Sequence, residues 1–474
     1  MRSFTIPWTV VVLVGGCLAA ALALGTAPRE ETAGHASGPE YGRGGNVLLV
    51  IIDDVGAEKV GAYGMHENAG PTPTIDALCA RGVRFETAWA TPYCSPTRSA
   101  ILTGRLPSRT GIGAVVMSDS PSPGLSLDET LLPEALKAVG PDQSAPGTAL
   151  IGKWHLCGLM DDNSHPLRSG FDVFTGTRSN LRPRKNPRAY FGMPRIVNGR
   201  SRAKPAYMTT VTTDDALDAI QGFGEQPWFV VVSYHAAHFP LHAPPKELHS
   251  FDLKGDPQDS PVQHHKASVE AMDREIGRLL GSLPEGALAR TSVVVIGDNG
   301  TQRPALAGPF ADRTGKGSLG EAGIRVPLVI AGPTVQAPGR VHGGLVHAVD
   351  LFPTILELMG AAPSTPKDGD KVIDGVSLAP VLRGPTVEPG RSHIYTELFK
   401  PNHAPVEERT SFGWAIRSAT HKLVVRTKGG APELFDLVND PTELLNLLAA
   451  DEPTPESLRI AKDLTAARDR LELD

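Results

Sequence analysis

The chain has few of the residues that build disulfide scaffolds, zinc sites or nucleic-acid surfaces. Its 474 residues include only 4 cysteines, and no two of them form a Cys-x-x-Cys pair, which argues against a structural zinc site and a thioredoxin-like redox site. Positive charge is not in excess, and the net charge of -6 gives no global reason to expect nucleic-acid binding. With 41% apolar and 21% charged residues, the composition is that of an ordinary globular protein.

Long apolar runs are also scarce, and only the run over residues 6–24 is long enough to enter a membrane. Its flanks predict a signal peptide or membrane anchor over residues 1–27, followed by a flexible linker over 28–45. Three interpretations stay open: a cleaved secretory signal, an uncleaved anchor, and a lipoprotein lipidated at Cys17. All three export the chain, so we expect a periplasmic or extracellular protein, membrane-anchored in two of the three cases.

Apart from Cys17, the cysteines are Cys79, Cys94 and Cys157. Cys79 and Cys157 could form a disulfide, but buried free thiols are the simpler expectation. Cys94 raises a separate question because of the residues that follow it.

Cys94 lies in the stretch PYCSPTRSAILTG, where Pro96 fixes a turn and a helix follows. Arg98 comes one helical turn later, and a helix N-terminus and an arginine can bind the same anion. A cysteine phosphatase loop is excluded because Ala100 stands where that loop needs an arginine. A Cys–His thiol hydrolase stays open, although it gives no role to the carboxylates described below.

Five near-continuous runs of Val, Ile and Leu indicate strands buried on both faces, as in a parallel sheet covered by helices. These runs span residues 46–53, 148–152, 228–235, 291–298 and 326–332. Helix-like segments lie over 72–85, where a glycine stop ends the helix, and over 128–140, 212–223 and 264–283. The alternation predicts an α/β domain over 46–370. Short alternating strands and a closing amphipathic helix predict a small subdomain over 371–474.

Polar residues follow four of these runs, at the edge of the sheet where open α/β folds bind ligands. They are Asp53 and Asp54 after the first run, Lys153 and His155 after the second, His235 and His238 after the third, and Asp298 and Asn299 after the fourth. The first and fourth groups offer only hard oxygen donors, which favours Ca²⁺ or Mg²⁺ over zinc. Each group alone is typical of a turn, and their joint placement is what indicates a site.

The stretch CSPTRSAILTG is similar to the Cys-x-Pro-Ser/Thr-Arg signature of the type I sulfatase family, close to the arylsulfatases. The resemblance runs from about residue 46 to residue 448. Further motifs follow in family order: VLLVIIDDVG, TPTIDALCARGVRF, LIGKWHLCG, GDNG, GKGSLGEAGIRVPLVIAGP, DLFPTILELMG, IDGVSLAPVL and ELFDLVNDPTELLNL. One departure is Cys157, where the family often has glycine.

The resemblance implies an alkaline phosphatase-like fold, in which a mixed, mostly parallel sheet lies between helices and a small C-terminal antiparallel α+β subdomain follows. It also implies that a separate maturation enzyme oxidises Cys94 to formylglycine. The implied metal ligands, for Ca²⁺ or Mg²⁺, are Asp53, Asp54, Asp298, Asn299 and the formylglycine at Cys94. The implied catalytic residues are Cys94, Arg98, Lys153, His155, His238 and Lys316. His235 matches no family position and is expected to be a core or rim histidine.

The resemblance further implies hydrolysis of a sulfate monoester, either an aryl sulfate or a sulfated carbohydrate, by the hydrated aldehyde. Residues 178–204 hold nine basic residues and no acidic one, which suggests a subsite for a further anionic group of a sulfated glycan. The alternative for this segment is a solvated basic loop. Two other functions stay open: a phosphate or phosphonate ester hydrolase of the same superfamily, and a non-catalytic glycan-binding protein in which Cys94 is unconverted.

Overall fold

The structure, a computed structural model, describes residues 45–67, 69–117, 123–138, 145–182, 186–361, 371–384, 391–449 and 452–471. The predicted signal or anchor, nearly all of the predicted linker and the predicted domain boundary at residue 370 lie outside these residues. Within them, no helix combines the length and the apolar character that crossing a bilayer requires.

Fourteen strands and eleven α-helices make up the described part of the chain. The strands are β1 (Asn46–Ile52), β2 (Gly82–Trp89), β3 (Gly147–Lys153), β4 (Val173–Thr177), β5 (Arg195–Val197), β6 (Arg200–Arg202), β7 (Trp228–Ser233), β8 (Thr291–Gly297), β9 (Leu328–Ala331), β10 (Arg340–His347), β11 (Ile394–Lys400), β12 (Ser411–Arg417), β13 (His421–Val425) and β14 (Glu433–Asp436). The helices are α1 (Pro73–Arg81), α2 (Cys94–Thr103), α3 (Pro107–Thr110), α4 (Leu132–Lys137), α5 (His165–Arg168), α6 (Met208–Phe223), α7 (Pro261–Gly281), α8 (Glu321–Ile324), α9 (Leu351–Leu358), α10 (Ala379–Arg383) and α11 (Pro455–Asp469).

Ten strands form one mixed sheet in the order β10-β2-β9-β8-β1-β7-β3-β4-β5-β6. Its centre is parallel, because β1 pairs with β8 and β7, and β3 pairs with β7 and β4, all in parallel. The parallel pair β2 and β10 joins this centre through β9, which is antiparallel to β2 and β8. The β5–β6 hairpin forms an antiparallel edge. The predicted mixed, mostly parallel sheet is therefore confirmed.

Side-chain alternation along β1 explains why helices cover both faces of this sheet. Val47 and Leu49 belong to a core that includes residues of α2, α4, α9 and α10. Leu48 and Val50 belong to a second core, on the opposite face, that includes residues of α1, α6 and α7. Full burial of each such side chain contributes roughly 1.5–3 kcal/mol. An apolar run without alternation is thus the signature of a strand with a core on either side.

The four C-terminal strands form an antiparallel sheet in the order β11-β12-β13-β14. One face packs on α11 through Leu464 and Ala467. The other face shares a core with Trp89 and Leu345, which belong to the large sheet. The predicted antiparallel subdomain with a closing helix is confirmed.

Of two expectations about individual elements, the glycine stop in the segment over residues 72–85 is confirmed, and the parallel direction of the run over residues 326–332 was wrong. The helix in the first segment ends at Arg81, and Gly82 opens β2. A Cβ atom at position 82 would lie 2.4 Å from the carbonyl oxygen of Ile330, so the close approach of β2 and β9 requires a glycine there. The run over residues 326–332 forms β9, which is antiparallel to both neighbours, because burial on both faces produces an apolar run whatever the strand direction.

Candidate active site

The predicted polar residues lie at the carboxyl ends of β8, β1, β7 and β3, four strands that are consecutive in the sheet. Asp53 and Asp54 follow β1, Asp298 and Asn299 follow β8, His235 and His238 follow β7, and Lys153 ends β3 two residues before His155. The first turn of α2 supplies Cys94 and Arg98, and the loop before α8 supplies Lys316. Hydrogen bonds, ion pairs and electrostatic interactions join these side chains into one cluster.

Backbone contacts fix the turns that present this cluster. The amide of Asp53 donates to the carbonyl of Ala236 at 3.2 Å, and the amide of Ala237 donates back to the carbonyl of Asp53 at 2.8 Å. Asp54 and His155 both adopt left-handed backbone conformations, with φ of 59° and 61°. Such conformations are unfavourable for residues other than glycine and occur often at functional sites.

Arg98 is the centre of a buried charge network. Its Nε and Nη2 atoms both donate to Oδ2 of Asp298, at 3.1 and 2.7 Å. Its Nη1 atom donates to the carbonyl of Lys153 at 2.9 Å and to the hydroxyl of Ser233 at 2.5 Å. Lys153 in turn places its Nζ 2.5 Å from Oδ2 of Asp53. Arg98 and Lys153 are therefore held in place by several partners each.

Asp54 collects contacts from the opposite side of the cluster. Lys316 Nζ lies 2.5 Å from Asp54 Oδ1, and the amide nitrogen of Asn299 donates to the same oxygen at 2.8 Å. The side-chain amide of Gln302 donates to Asp54 Oδ2, and His238 Nε2 lies 3.7 Å from that oxygen. Lys316 Nζ also lies 3.7 Å from Cys94 Sγ, which links the carboxylates to the cysteine.

Several buried polar atoms of the cluster have no hydrogen-bond partner within the described residues. They include Oδ1 of Asp53, Oδ1 of Asn299 and both ring nitrogens of His155. Buried polar atoms are nearly always paired in folded proteins, so a group of unpaired oxygens needs an explanation. One ligand atom each from Asp53, Asp54 and His238 lies within 4.8 Å of the others, and the same holds for Asp53, Cys94 and Asp298. These residues fit a divalent cation.

The electrostatics of the carboxylates support the same conclusion. Burial would raise the pKa of Asp53, but nearby positive charge, chiefly that of Lys153, outweighs it and holds this pKa well below its usual value. Burial and the charge of Asp53 raise the pKa of Asp298 to about 6, despite the contact with Arg98. Crowded buried carboxylates of this kind gain from a cation.

Cys94 is not arranged as a thiolate nucleophile. Burial raises the pKa of its thiol, although Lys153 and Lys316 act in the opposite direction. The one hydrogen-bond partner of its sulfur among the described residues is Lys316, and no histidine contacts it. A Cys–His hydrolase needs a depressed thiol pKa and a histidine within hydrogen-bond reach. The geometry therefore argues against the thiol hydrolase.

The histidines of the cluster are held as neutral rings. Burial, followed by the charge of Lys316, lowers the pKa of His238 to about 4, and burial with Lys153 lowers that of His155 well below its usual value. His238 Nδ1 lies 2.7 Å from the carbonyl of Phe239, so Nδ1 carries the proton and Nε2 is the free acceptor. His235 is buried, and its Nε2 lies 2.7 Å from the hydroxyl of Thr177.

Sequence reasoning missed Ser233 and Gln302. Ser233 ends β7 and contacts Arg98. The sequence feature that could have indicated it is a single hydroxyl residue at the end of an apolar run. Gln302 follows Asn299 by three residues and contacts Asp54, but nothing in the sequence separates it from other loop glutamines. Cys79 and Cys157 are free and buried, as expected.

Comparison with known proteins decides the family. The family model for sulfatases matches residues 45–361, about two thirds of the chain. The chain belongs to the sulfatase family. A second model, described as the C-terminal part of N-sulphoglucosamine sulphohydrolase, matches residues 315–470. As a sulfatase, the protein is a sulfuric ester hydrolase.

Two relatives agree with this assignment, and one solved structure has a similar fold. Arylsulfatase A of Bos taurus is 31% identical over 88% of this chain and 86% of its own. N-acetylgalactosamine-6-sulfatase of Canis lupus familiaris is 31% identical over 72% of this chain and 66% of its own. The crystal structure of Ps i-CgsB in complex with k-i-k-neocarrahexaose has a TM-score of 0.75 at 24% identity, and covers 90% of this chain and 92% of that one. This chain and that structure therefore share a fold at low sequence identity.

Proposed function

We propose that the protein hydrolyses sulfate monoesters by means of a formylglycine derived from Cys94 and a calcium ion bound beside it. The observation that supports this most strongly is the pair of buried oxygens, Asp53 Oδ1 and Asn299 Oδ1, that lack partners among the described groups and lie in the same cluster as Cys94. Asp54 and Asp298 supply the remaining carboxylates. A site with oxygen donors and no thiolate or paired histidines suits Ca²⁺, with Mg²⁺ as the alternative.

Charge balance gives the cation a further role. Three carboxylates face three cations in this site. Asp298 is paired with Arg98, Asp53 with Lys153, and Asp54 with Lys316. A bound divalent cation adds two positive charges to this neutral set. The site would then attract an anionic ester and stabilise negative charge on the sulfuryl oxygens.

Burial raises the pKa of the Cys94 thiol, so the unmodified thiol is a poor nucleophile. The modification supplies an oxygen nucleophile instead, because the hydrated aldehyde carries hydroxyl groups. All ten residues of α2, including Cys94, are buried. A maturation enzyme could therefore reach this side chain only before the helix packs into the core. We infer that conversion precedes folding.

The other side chains have roles that follow from their contacts. Arg98 holds Asp298 and is anchored by Lys153 and Ser233, so it orients the metal-side carboxylate. Lys153 and Lys316 can hold sulfuryl oxygens through their Nζ atoms.

The two histidines serve as proton carriers in this proposal. His238 offers a bare Nε2 that can take the proton released by the attacking hydroxyl and pass it to the leaving alcohol, so the ring is neutral before and after the step. His155, with both nitrogens unpaired, can accept the proton released when sulfate departs.

We propose an aryl sulfate or a sulfated saccharide as substrate. Support comes from the names of relatives, which include arylsulfatase A and N-acetylgalactosamine-6-sulfatase, and from a similar structure solved with its substrate D-glucosamine-2-N,6-O-disulfate. In the basic segment over 178–204, several side chains have protein partners, including three whose partners are identified. These three are Arg178 on Cys157 and Gly158, Arg195 on Asp215, and Lys204 on Asp214.

Within this segment, the 3-10 turn Pro187–Tyr190 contacts the loop that carries His235 and His238. The hydroxyl of Tyr190 lies 2.6 Å from the carbonyl of His235 and 2.8 Å from that of His238. Arg188 is exposed on the same turn, whereas Arg184 and Lys185 lie outside the described residues. We therefore propose that Arg188 contributes to a subsite that binds a second anionic group of the substrate.

We also propose that the chain is exported, with the N-terminus acting as a signal peptide or anchor. Fractionation of the native host, followed by N-terminal sequencing of the mature protein, tests this. An unprocessed chain in the cytoplasm would contradict it.

The experiment that tests the proposed chemistry is mass spectrometry of the peptide that carries Cys94, from protein made in its own host. We expect loss of the thiol and an aldehyde that reacts with a hydrazide. Cys79 and Cys157 are internal controls, because both should remain thiols that alkylate. A Cys94 peptide that alkylates as fully as the two controls would overturn the formylglycine mechanism. Turnover of matched aryl sulfate and aryl phosphate esters then checks the ester preference, which we expect to favour sulfate.

A further inference from the structure

A second cavity, of about 310 Å³, lies where the chain after α2 meets β11 and α11. Leu106, Tyr395 and Ala467 give it apolar walls, and Arg391 and Arg470 line it with charge. Because α2 has ten residues and rises about 15 Å from Cys94, the cavity lies at the far end of that helix from the active site. It is therefore separate from the site described above.

His347 provides the first unsatisfied donor of this cavity. It is 1% exposed, and its Nδ1 accepts a hydrogen bond from the amide of Val349 at 3.2 Å. Nδ1 therefore carries no proton, and the neutral ring must carry it on Nε2. This Nε2 is buried, and none of the described residues accepts a hydrogen bond from it.

Arg391 provides the second unsatisfied donor. Its Nη2 donates to Oδ1 of Asp350 and, at 2.8 Å, to the carbonyl of Asp374. Its Nε is buried and has no acceptor in the described part of the chain. The carboxylate of Asp374 accepts from Arg109 Nε and from the amide of Leu106, at 2.8 Å each, and not from Arg391 Nε.

The charges around the cavity leave a positive excess. Arg391 is paired with Asp350, and Asp374 is paired with Arg109. Arg470 is exposed, lines the cavity and forms no ion pair with any described residue. Unsatisfied donors beside an uncompensated cation call for an anionic acceptor.

We propose that this cavity is a binding site for a fully ionised tetrahedral oxyanion, taken up as inorganic sulfate or as the sulfate group of a saccharide. Sulfate carries no proton at neutral pH and only accepts hydrogen bonds, which matches donors without acceptors. Inorganic phosphate keeps at least one proton at neutral pH and would place a donor against donors. The site thus favours sulfate over phosphate.

Calorimetric titration of the full-length protein with sodium sulfate tests the proposal. We expect two sulfate sites in the wild type, one catalytic and one in the cavity. Arg470→Glu should lose the cavity site, whereas Lys462→Glu, an exposed position outside the cavity on the helix that precedes Arg470, should keep it. Lys316→Ala should weaken the catalytic site and leave the cavity site intact. Identical binding isotherms for Arg470→Glu and Lys462→Glu would overturn the proposal.

A second variant tests the donor itself. Arg391→Lys keeps the positive charge beside Asp350 but removes the Nε donor, so we expect at least about tenfold weaker sulfate binding in the cavity, as for the loss of one charge-assisted hydrogen bond. Unchanged binding in this variant, or phosphate binding as tightly as sulfate, would contradict the assignment.

The source of the anion is distinguished by comparing inorganic sulfate, a sulfated monosaccharide and the same sugar without sulfate. Tighter binding of the sulfated sugar than of the ion identifies a saccharide site, and equal or weaker binding identifies an ion site. Both outcomes support an oxyanion site, whereas binding of the unsulfated sugar as tightly as its sulfated form overturns it. Activity on a small aryl sulfate should be the same in Arg470→Glu and wild type.

Discussion

Asp53 and Asn299 each bury an oxygen that has no partner among the described residues, and this arrangement is unfavourable unless something else binds there. A cation removes the penalty for both atoms at once, since carboxylate and amide oxygens are hard ligands. Asn299 is the more informative of the two because it is uncharged. Replacing it changes the number of ligands without changing the charge of the site.

We therefore expect Asn299→Ala to weaken calcium binding by about 10- to 100-fold, the range seen when metal-site residues are removed. The measurement is a calcium titration of chelator-treated protein, followed by activity at saturating calcium. Gln302→Ala is the matched control, because Gln302 contacts the same Asp54 through its amide nitrogen. Equal calcium affinity in wild type and Asn299→Ala would show that this oxygen is not a ligand.

Cys94→Ser tests why a modified cysteine is needed at this position. Serine offers one hydroxyl, whose oxygen can attack sulfur while the bond from sulfur to the leaving alcohol breaks. Without a second hydroxyl on the same carbon, the enzyme cannot expel the sulfate by re-forming an aldehyde. We expect the variant to accumulate enzyme that is heavier by one sulfuryl group, as seen by mass spectrometry, after a single turnover. Cys94→Ala should show no mass gain, and sustained turnover by Cys94→Ser would contradict the mechanism.

At the scale of elements, the C-terminal sheet holds the loop that carries Lys316. Lys422 of β13 is fully buried and contacts Glu321, the first residue of α8, at 3.2 Å and Glu443 at 2.7 Å. Glu443 in turn accepts a hydrogen bond from the amide of Glu321 at 2.7 Å. Trp89 Nε1 donates to Glu321 at 3.1 Å. The start of α8, and with it the loop from Lys316, is thereby tied to the second sheet.

We expect Glu443→Ala to lower kcat about tenfold and to raise KM, because Lys316 would be misplaced both for binding the sulfate group and for stabilising charge on it. Stability should fall by about 1–3 kcal/mol, since the buried amide of Glu321 loses its acceptor and Lys422 loses an ion-pair partner. Glu443→Gln should recover part of kcat, because it keeps an acceptor for the amide of Glu321.

The matched control for Glu443 is Glu433→Ala, which removes a partly exposed pair with Arg426 in the same sheet. That change should leave kcat unaltered. If both variants lose stability equally while kcat stays at the wild-type value, the role of Glu443 is structural only.

The turn Pro187–Tyr190 is the element through which the basic segment would act on substrate. We expect Arg188→Ala to reduce activity on a sulfated oligosaccharide by about two- to fivefold, the magnitude of one exposed ion pair, and to leave a small aryl sulfate unaffected. The loss should shrink as salt is added. Arg200→Ala is the control, because Arg200 is equally exposed but lies on the edge hairpin. Equal effects of Arg188→Ala on both substrates would contradict the subsite.

The elements that sequence predicted best are those whose burial is uniform. The run ending at Asp53 predicted β1 because both of its faces are covered, and the polar residues after it stood out against that run. In β10 the sequence RVHGGLVH gives a mixed pattern, because the residues before Leu345 include exposed positions, and the strand was missed. The direction of β9 also could not be read, since strand direction leaves no mark on a fully buried run.

The site residues also differ in how well the sequence predicts them, according to whether they follow a buried strand. Asp53, Lys153 and Asp298 could be predicted from position alone, because each lies at the end of a buried strand. Lys316 could not, because its contact with Asp54 joins residues 262 positions apart through an irregular loop, and only the family resemblance pointed to it.

At the scale of the whole molecule, the two sheets share a hydrophobic core instead of meeting at a polar boundary. Trp89 and Leu345 of the large sheet pack in one cluster with Ile394 and Val424 of the small sheet. Exposing these surfaces separately would cost roughly 1.5–3 kcal/mol for each large side chain. The charged contacts of Lys422 lie at the same junction and would be left unpaired.

The protein should therefore unfold as one cooperative unit, although two sheets and two family models divide it. Differential scanning calorimetry in the presence of calcium should show a single transition whose van't Hoff and calorimetric enthalpies agree. Glu443→Ala should move this transition to lower temperature without splitting it, because the shared core survives the loss of one contact. Two resolved transitions in the wild type would show that the small sheet unfolds on its own, and the coupling of that sheet to Lys316 would then have to be local.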